Sequence, residues 1–332
     1  MSTLLAARLY GARDLRLEDV PTPEVPEGWV LVRTLAVGIC GTDKAFYLGT
    51  YPLFKVPLVP GHEVCGVVVG GPRDLVGRRV VPEINFSCGR CSLCRLGLYT
   101  HCPHKRTLGI DFDGGMAEYF VAPVSALHFV DDLDPVVATA VEPLAAVLNA
   151  LEQYPPKPHM KVAVLGSGNL AILTIQVLKC FGVLDVAAIA RDDSPKVKYL
   201  RELGVEVVTL SQLSDYVKRC TPEGLGFDMV FEVTGSPQGL ELAIDITRPR
   251  GVIHLKSTPG ARSCIDSTRA VVKELKIIGT RCGTFREFNK AIELIRGGIV
   301  RPIVTSTVKL RSVVEAFERS LRREEVKVVV IP

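Results

Sequence analysis

Four cysteines crowd into one short segment of the chain and could hold a metal ion. Cys88, Cys91 and Cys94 recur at intervals of three, and Cys102 follows after a short loop. Four thiolates close a tetrahedron around one ion and leave no open coordination position, so the segment predicts a structural zinc site. An iron–sulfur cluster is the chemical competitor, because Cys-x₂-Cys-x₂-Cys also occurs in ferredoxins. Disulfides or free thiols are the remaining alternative.

A second group of metal-ligating residue types lies upstream. Cys40, in Cys-Gly-Thr-Asp, precedes the pair His62-Glu63 by about twenty residues, and a thiolate, an imidazole and a carboxylate together suit zinc. A catalytic zinc needs about three protein ligands, and Glu142 is the best candidate for the third. It lies in an apolar run, where a buried charge needs a partner such as a divalent cation. A carboxylate at a helix N-terminus, ahead of Pro143, is the alternative.

A glycine-rich loop follows the apolar run Val162–Leu165 and precedes a helical pattern. Its sequence is Gly-x-Gly-x-x-Ala, an accepted variant of the dinucleotide fingerprint. Gly166 allows the tight turn, and Gly168 lets the backbone approach a pyrophosphate that the helix N-terminal amides receive. The loop therefore predicts a dinucleotide cofactor, with contacts from Gly166, Ser167, Gly168, Asn169 and Leu170.

The end of the second strand of this pattern bears on which cofactor binds. About twenty residues after the loop, NAD enzymes place an acidic residue against the ribose 2′-hydroxyl. Here that place falls at Ala190, and Arg191 comes next. A guanidinium can pair with a 2′-phosphate, which favours NADP. Asp192 and Asp193 lie close, so a shift of register by two residues would restore NAD.

The elements that must position these residues are of two kinds. Residues 1–145 are β-rich, with short strand-like runs separated by Gly or Pro. After the proline-rich joint Tyr154–Pro158, six apolar runs alternate with helical pieces, which predicts a doubly wound parallel sheet. The six runs are Lys161–Leu165, Leu184–Ala190, Glu206–Leu210, Asp228–Glu232, Gly251–Lys256 and Lys276–Thr280.

After Gly283 the pattern changes again. An amphipathic helix is predicted at Phe285–Arg296 and a strand near Ile303–Val308. A second helix, Val313–Arg322, and a last strand, Val326–Ile331, follow. On pattern alone, this tail could extend the parallel sheet.

Length and composition set the broad class. The chain has 332 residues, and two domains are expected because single cores stop growing near about 250–300 residues. The net charge of +4 comes without a basic run and argues against a nucleic-acid partner. We see no signal peptide and no apolar stretch of about 20 residues, so we expect a cytoplasmic protein with no membrane partner. Scarce Asn and Gln favour a thermophilic source.

These motifs, in this order, resemble the zinc-containing medium-chain alcohol dehydrogenases. The resemblance covers nearly the whole chain and implies an α/β protein of two domains. A GroES-like β-rich catalytic domain would comprise residues 1–150 and 284–332, with a Rossmann domain at 151–283. The matching motifs are Cys40–Asp43, Gly61–Glu63, the four-cysteine segment, Asp113–Tyr119, Glu142–Leu144 and the glycine-rich loop.

The resemblance also implies roles for individual residues. By it, Cys40, His62 and Glu142 would hold a catalytic zinc, and Glu63 would be a ligand or a close carboxylate that can exchange with water. Thr42 matches the family's hydroxyl that accepts the alcohol proton, although a capping threonine is an alternative. A glutamate at position 142 resembles the polyol, threonine and sugar dehydrogenase branch.

Three further features follow from the same resemblance. Thr234 and Ser257 lie in segments that resemble the loops lining the nicotinamide. The position where many members carry a relay histidine is Ala45 here, so the proton would leave through water, Glu63 or another path. The family usually forms homodimers or homotetramers through the edge of the Rossmann domain.

The sequence thus predicts a zinc-dependent oxidoreductase with two zinc ions per chain, one catalytic and one structural. It would transfer a hydride between a secondary alcohol, polyol or sugar, or the matching carbonyl, and NADP or NAD, with NADP favoured. A non-catalytic nucleotide-binding scaffold on the same fold is one alternative, and an NAD-linked threonine or polyol dehydrogenase is another. A zinc-independent reductase of activated alkenes is disfavoured, because it needs none of Cys40, His62 and Glu142.

Overall fold

The computed structural model describes residues 3–332, and these fall into two compact units. The first unit contains the chain up to Ala145 together with Cys282–Gly297 and Ile303–Pro332. The second contains Ala146–Arg281 and Gly298–Pro302. The C-terminal tail therefore packs mainly with the N-terminal part of the chain.

The bounds of the strands and α-helices in residues 3–332 are as follows. The strands are β1 (Thr3–Gly11), β2 (Asp14–Pro21), β3 (Trp29–Gly38), β4 (Glu63–Gly70), β5 (Arg79–Pro82), β6 (Asn85–Phe86), β7 (Arg106–Thr107), β8 (Tyr119–Pro123), β9 (Leu127–Phe129), β10 (Lys161–Leu165), β11 (Asp185–Ala190), β12 (Glu206–Thr209), β13 (Phe227–Glu232), β14 (Thr247–Leu255), β15 (Lys276–Gly279), β16 (Ser306–Lys309) and β17 (Val328–Ile331). The α-helices are α1 (Gly41–Leu48), α2 (Ser92–Arg95), α3 (Pro135–Ala138), α4 (Val141–Gln153), α5 (Asn169–Cys180), α6 (Val197–Glu202), α7 (Leu213–Cys220), α8 (Gly239–Ile246), α9 (Ser267–Val272), α10 (Phe285–Arg296) and α11 (Val313–Ser320).

The first unit is built on a seven-stranded sheet. Its strand order is β16-β17-β3-β4-β5-β9, with β8 also paired to β3. The last strand of the chain, β17, pairs antiparallel with β3 at Val330↔Val37, which brings the two ends of this unit together. Strand β4 pairs with β3 on its other side, in a register that sets Gly38 opposite Glu63.

The second unit is a six-stranded parallel sheet in the order β12-β11-β10-β13-β14-β15. This order, 3-2-1-4-5-6 in chain sequence, is that of the dinucleotide-binding doubly wound fold. The central strand β10 has a nearly continuous buried apolar sequence, as a strand covered on both faces requires. The predicted fold class, a GroES-like domain with a Rossmann sheet, is confirmed.

Local sequence explains where the helix that re-enters the first unit begins. Thr284 and Glu287 form a capping box at the N-terminus of α10, in which the backbone N–H of Thr284 donates to the Glu287 carboxylate at 2.7 Å. This arrangement satisfies backbone donors that would otherwise lack partners. Helix α10 therefore starts directly after the chain returns from the second unit.

One segment, Pro135–Gln153, is long and apolar enough among residues 3–332 to cross a membrane by length and composition. Two-thirds of its apolar window, 67 %, is buried inside the protein. A core helix of a globular fold passes the same test, and Glu142 lies within this segment.

Candidate active site and metal centres

Cys40, His62 and Glu63 are brought together by the pairing of two neighbouring strands. Cys40 follows β3 and is the N-cap of α1, while His62 precedes β4 and Glu63 opens it. Their ligand atoms all lie within 4.8 Å of one another. His62 is only 4 % exposed and Glu63 only 1 %, whereas Cys40 is half-buried.

Asp43 fixes the two loops that carry these residues. One carboxylate oxygen accepts from the Cys40 backbone N–H at 2.8 Å, and the other accepts from the Gly61 N–H at 3.2 Å. Gly61 itself adopts a φ of 95°, in the left-handed region that favours glycine. Asp43 is fully buried, and burial raises the pKa of its carboxyl. The sequence motif contained Asp43, but its anchoring role was not predicted.

The electrostatics of this group fit a divalent cation. Burial opposes a charged imidazole, yet the pKa of His62 is raised well above its usual value. The cause is the negative charge of three neighbours, Asp43, Cys40 and Glu142. Among residues 3–332 the buried Nδ1 of His62 has no hydrogen-bond partner, and the nearest carboxylate oxygen of Asp43 lies 3.8 Å away. A thiolate, an imidazole and carboxylates concentrated in a buried site are a ligand set that suits zinc.

Lys327 is a residue of this site that sequence analysis missed. It lies just before β17, is 7 % exposed, and its ammonium group is 2.5 Å from Oε2 of Glu63. The same group donates to the carbonyl of Ile39 at 3.2 Å. A Cβ on Gly38 would collide with Oε2 of Glu63, so glycine there leaves the space that this carboxylate occupies.

Glu142 and Thr42 lie at the starts of two helices. Glu142 is in the first turn of α4 and is 5 % exposed; it is outside the group whose ligand atoms lie within 4.8 Å, although its charge reaches His62. Thr42 is half-buried in the first turn of α1. The cap of α1 is formed by Cys40 and Asp43, so the capping role does not fall to Thr42.

The four-cysteine segment forms a compact thiol cluster. Sγ of Cys88 and Sγ of Cys102 are 3.5 Å apart, Cys91 and Cys94 are 3.5 Å apart, and Cys91 and Cys102 are 3.8 Å apart. Sulfurs bound at about 2.3 Å to one tetrahedral ion would be about 3.8 Å apart. All four cysteines are free, so the disulfide alternative is wrong. Backbone hydrogen bonds from Arg90 and Cys91 lower the pKa of Cys88 to about 6, which favours the thiolate that a metal binds.

The glycine-rich loop has the shape that a dinucleotide requires. Gly166 has a φ of 140°, and a Cβ there would meet the Val233 carbonyl oxygen at 3.0 Å. Gly168 is the N-cap of the twelve-residue helix α5, and a Cβ built on it meets no atom of the described residues within 4 Å. The turn is therefore tight on one side and open on the other, where helix amides can receive phosphates. Ser167, Asn169 and Leu170 are half-buried around this opening.

The other predicted cofactor residues lie at the carboxyl ends of the parallel strands. Arg191 is the first residue after β11 and is exposed. Ser257 follows β14, and its hydroxyl accepts from the Gly235 N–H at 2.7 Å. Thr234 follows β13, but its hydroxyl donates to Glu232 at 2.5 Å and accepts from the Ser236 N–H at 2.9 Å. The hydroxyl of Thr234 therefore stabilises the conformation of its own loop.

Comparison with known proteins places the chain in a family. The model of the alcohol dehydrogenase GroES-like domain matches residues 26–132, and that of the zinc-binding dehydrogenase matches residues 170–297. The alcohol dehydrogenase of Geobacillus stearothermophilus is 33 % identical over 92 % of this chain and 91 % of its own length. The chain belongs to the zinc-binding medium-chain dehydrogenase family.

Two further relatives bear on the cofactor and the substrate. The sorbitol dehydrogenase of Bacillus subtilis is 28 % identical over 98 % of this chain and 97 % of its own length. The crystal structure of a zinc-binding dehydrogenase from Sinorhizobium meliloti, bound to NADP, has a TM-score of 0.89 and 29 % identity, with 100 % of both chains covered. The predictions of a zinc-dependent, NAD(P)-linked oxidoreductase and of its zinc and dinucleotide cofactors are confirmed.

Proposed function

We propose that this chain is an NADP-linked member of the family that oxidises a secondary alcohol, polyol or sugar, or reduces the matching carbonyl. The observation that carries the proposal is the group of Cys40, His62 and Glu63, with ligand atoms within 4.8 Å of one another. The similar alcohol and sorbitol dehydrogenases support the substrate class. In this proposal residues 1–150 and 284–332 form the catalytic domain, and residues 151–283 bind the dinucleotide.

We propose one zinc ion in each of the two metal centres. Cys40, His62 and Glu142 would hold the catalytic zinc, while Lys327 keeps Glu63 close by as a carboxylate that can exchange with water. The structural zinc would be held by Cys88, Cys91, Cys94 and Cys102. When bound, the catalytic zinc acts as a Lewis acid that lowers the pKa of an alcohol.

The chain's own residues must then remove the alcohol proton. Thr42 is half-buried in the first turn of α1, two residues after Cys40, and it is the hydroxyl we propose to accept that proton. Ala45 cannot continue the relay, so the proton passes onward through water or Glu63. The absence of a histidine at position 45 and the carboxylate at Glu142 both favour a polyol or sugar substrate over a simple alcohol.

The dinucleotide would lie across the carboxyl ends of β10, β11 and β13. Amides at the start of α5 face the pyrophosphate. The exposed guanidinium of Arg191 is available to a 2′-phosphate, and the bidentate pairing of arginine with phosphate makes NADP the preferred form. Ser257 and the loop at Thr234 would line the nicotinamide.

We propose that two copies associate along the outer edge of β15. This strand ends the parallel sheet, and apolar side chains are exposed on it and on the adjoining helix α9, including Ile277 at 38 %, Val271 at 74 % and Val272 at 76 %. An edge strand with exposed apolar side chains on it and on the adjoining helix is suited to pairing with a second chain. Light scattering after size exclusion should give a dimer or tetramer, and Ile277→Lys should shift it towards monomer.

A variant pair tests the catalytic assignment. Cys40→Ser removes the sulfur ligand from the group of Cys40, His62 and Glu63, whereas Cys180→Ser changes an exposed cysteine. Cys40→Ser should lose one zinc equivalent and turnover while still binding NADPH, and Cys180→Ser should match the parent in all three. Full turnover in a zinc-deficient Cys40→Ser would contradict the proposal. Because we expect a cytoplasmic protein of a thermophile, the assays should be run warm.

A further inference from the structure

The carboxylate of Asp192 contacts Ser211 at the end of the neighbouring strand β12. Asp192 is the second residue after β11, and its Oδ1 accepts from both the hydroxyl and the backbone N–H of Ser211, the latter at 3.3 Å. Ser211 lies in the turn between β12 and α7. The hydrogen bonds from Ser211 and Thr209 lower the pKa of Asp192, so the carboxylate is ionised while it is held there.

The turn that holds Asp192 is itself fixed to β11. Ala190 pairs with Thr209 across the sheet, and the Leu210 N–H donates to the Ala190 carbonyl at 3.0 Å. The hydroxyls of Thr209 and Ser211 are 3.1 Å apart. The Thr209 N–H donates to the Gln212 side chain at 3.2 Å. Ser211 thus occupies a defined position opposite the end of β11.

Asp192 follows β11, the second strand of the dinucleotide fold, and a carboxylate there affects which dinucleotide binds. An acidic side chain there accepts the ribose 2′-hydroxyl of NAD, and its charge opposes the 2′-phosphate of NADP. Arg191 and Asp192 are adjacent, so a free Asp192 could approach the ribose or neutralise the guanidinium. Either would favour NAD.

We propose that Ser211 is a specificity-determining residue that holds the Asp192 carboxylate away from the adenosine ribose, so that Arg191 alone faces a 2′-phosphate. This inference rests on the proposed preference for NADP. It assigns Ser211 no contact with the cofactor, and its effect is exerted through Asp192. The discrimination between NADPH and NADH therefore depends on Ser211, which follows β12, the third strand of the parallel sheet in chain order.

Three variants test this positioning role through binding rather than turnover. Dissociation constants for NADPH and NADH are measured by isothermal titration on the zinc-containing protein. Ser211→Ala should reduce the preference for NADPH over NADH by about five- to tenfold, since a released carboxylate opposes the phosphate. Asp192→Asn alone should change the preference by less than about twofold, because the charge is already held away. Ser214→Ala changes an exposed serine in the following helix α7; it is the matched control and should not change the preference.

The double variant Asp192→Asn/Ser211→Ala separates the possible causes. If Ser211 acts by holding Asp192, the double variant should regain the parent preference, because no carboxylate remains to be released. A preference that stays low in the double variant would overturn the inference, as would a large effect of Asp192→Asn alone.

Arg191→Ala separates failure of the inference from failure of the proposed cofactor. If Arg191→Ala leaves the preference between NADPH and NADH unchanged, the assignment of NADP itself is wrong. If Arg191→Ala abolishes the preference but Ser211→Ala leaves it intact, the cofactor assignment stands and the role of Ser211 is refuted.

Discussion

Replacing Lys327 with methionine should strongly destabilise the first unit. The change keeps an unbranched side chain of similar length but removes the ammonium group that lies 2.5 Å from Glu63. Glu63 is 1 % exposed, so water cannot replace the lost partner. Breaking a buried ion pair by removing one member typically costs about 3–5 kcal/mol. For a unit of this size, that corresponds to a fall in Tm of about 6–20 °C.

Differential scanning calorimetry of the zinc-loaded protein measures this change. Lys309→Met is the matched control, because Lys309 is an exposed lysine on the adjacent strand β16 and its loss should shift Tm by little. The double variant Glu63→Gln/Lys327→Met should recover much of the stability, since it leaves no unpaired charge.

Either of two results would contradict the dependence of Glu63 on Lys327. If Lys327→Met lowers Tm no more than Lys309→Met does, then Glu63 does not depend on Lys327. If the double variant is less stable than Lys327→Met alone, the cost of the single change is not the unpaired carboxylate.

Three further predictions concern the four-cysteine cluster, the space that Gly38 leaves for Glu63, and the stability of the protein at acid pH. Cys102→Ser should remove one zinc equivalent, measured by atomic absorption, and leave the other in place; loss of both would show that the two centres are not independent. Gly38→Ala should lower Tm because its Cβ takes the space of Glu63, whereas Gly41→Ala should be mild because a Cβ there meets nothing within 4 Å. Burial lowers the pKa of His254 to about 4, below its usual value of about 6.5, so the unfolded chain binds the additional proton between these values. This contribution to stability is present above about pH 6.5 and falls by about 3 kcal/mol as the pH drops to about 4. Urea unfolding of His254→Gln should show a flatter pH dependence in this window, and an unchanged slope would assign the acid response to other groups.

Elements with strong local signals were predicted closely from the sequence. Strand β10 matches Lys161–Leu165 and helix α10 matches Phe285–Arg296, because a buried apolar run and a capping box each mark their own ends. The four-cysteine cluster was also predicted, since ligands spaced three apart in one short segment need little long-range information. By contrast, β2 was not predicted, because its charged side chains weaken the apolar signal of a strand.

The parts of the site that were missed depend on contacts distant in the sequence. Lys327 and Glu63 are 264 residues apart, and their contact exists only because the last strand of the chain returns to the side of β3. One signal was available: Lys327 is a charge inside an apolar run, the same feature that drew attention to Glu142. The hydrogen bond between Asp192 and Ser211 likewise joins two strand ends that only the parallel sheet brings together.

Zinc-dependent hydride transfer is tested most directly by following turnover at the absorbance band of reduced nicotinamide. The zinc-loaded protein is assayed warm with NADP or NAD against a panel of secondary alcohols, polyols and sugars, before and after zinc removal. We predict turnover of one substrate class, faster with NADP, lost with the catalytic zinc and restored when zinc is returned. Tight dinucleotide binding without turnover of any substrate in the panel, whether or not zinc is present, would contradict a dehydrogenase activity and favour a nucleotide-binding scaffold.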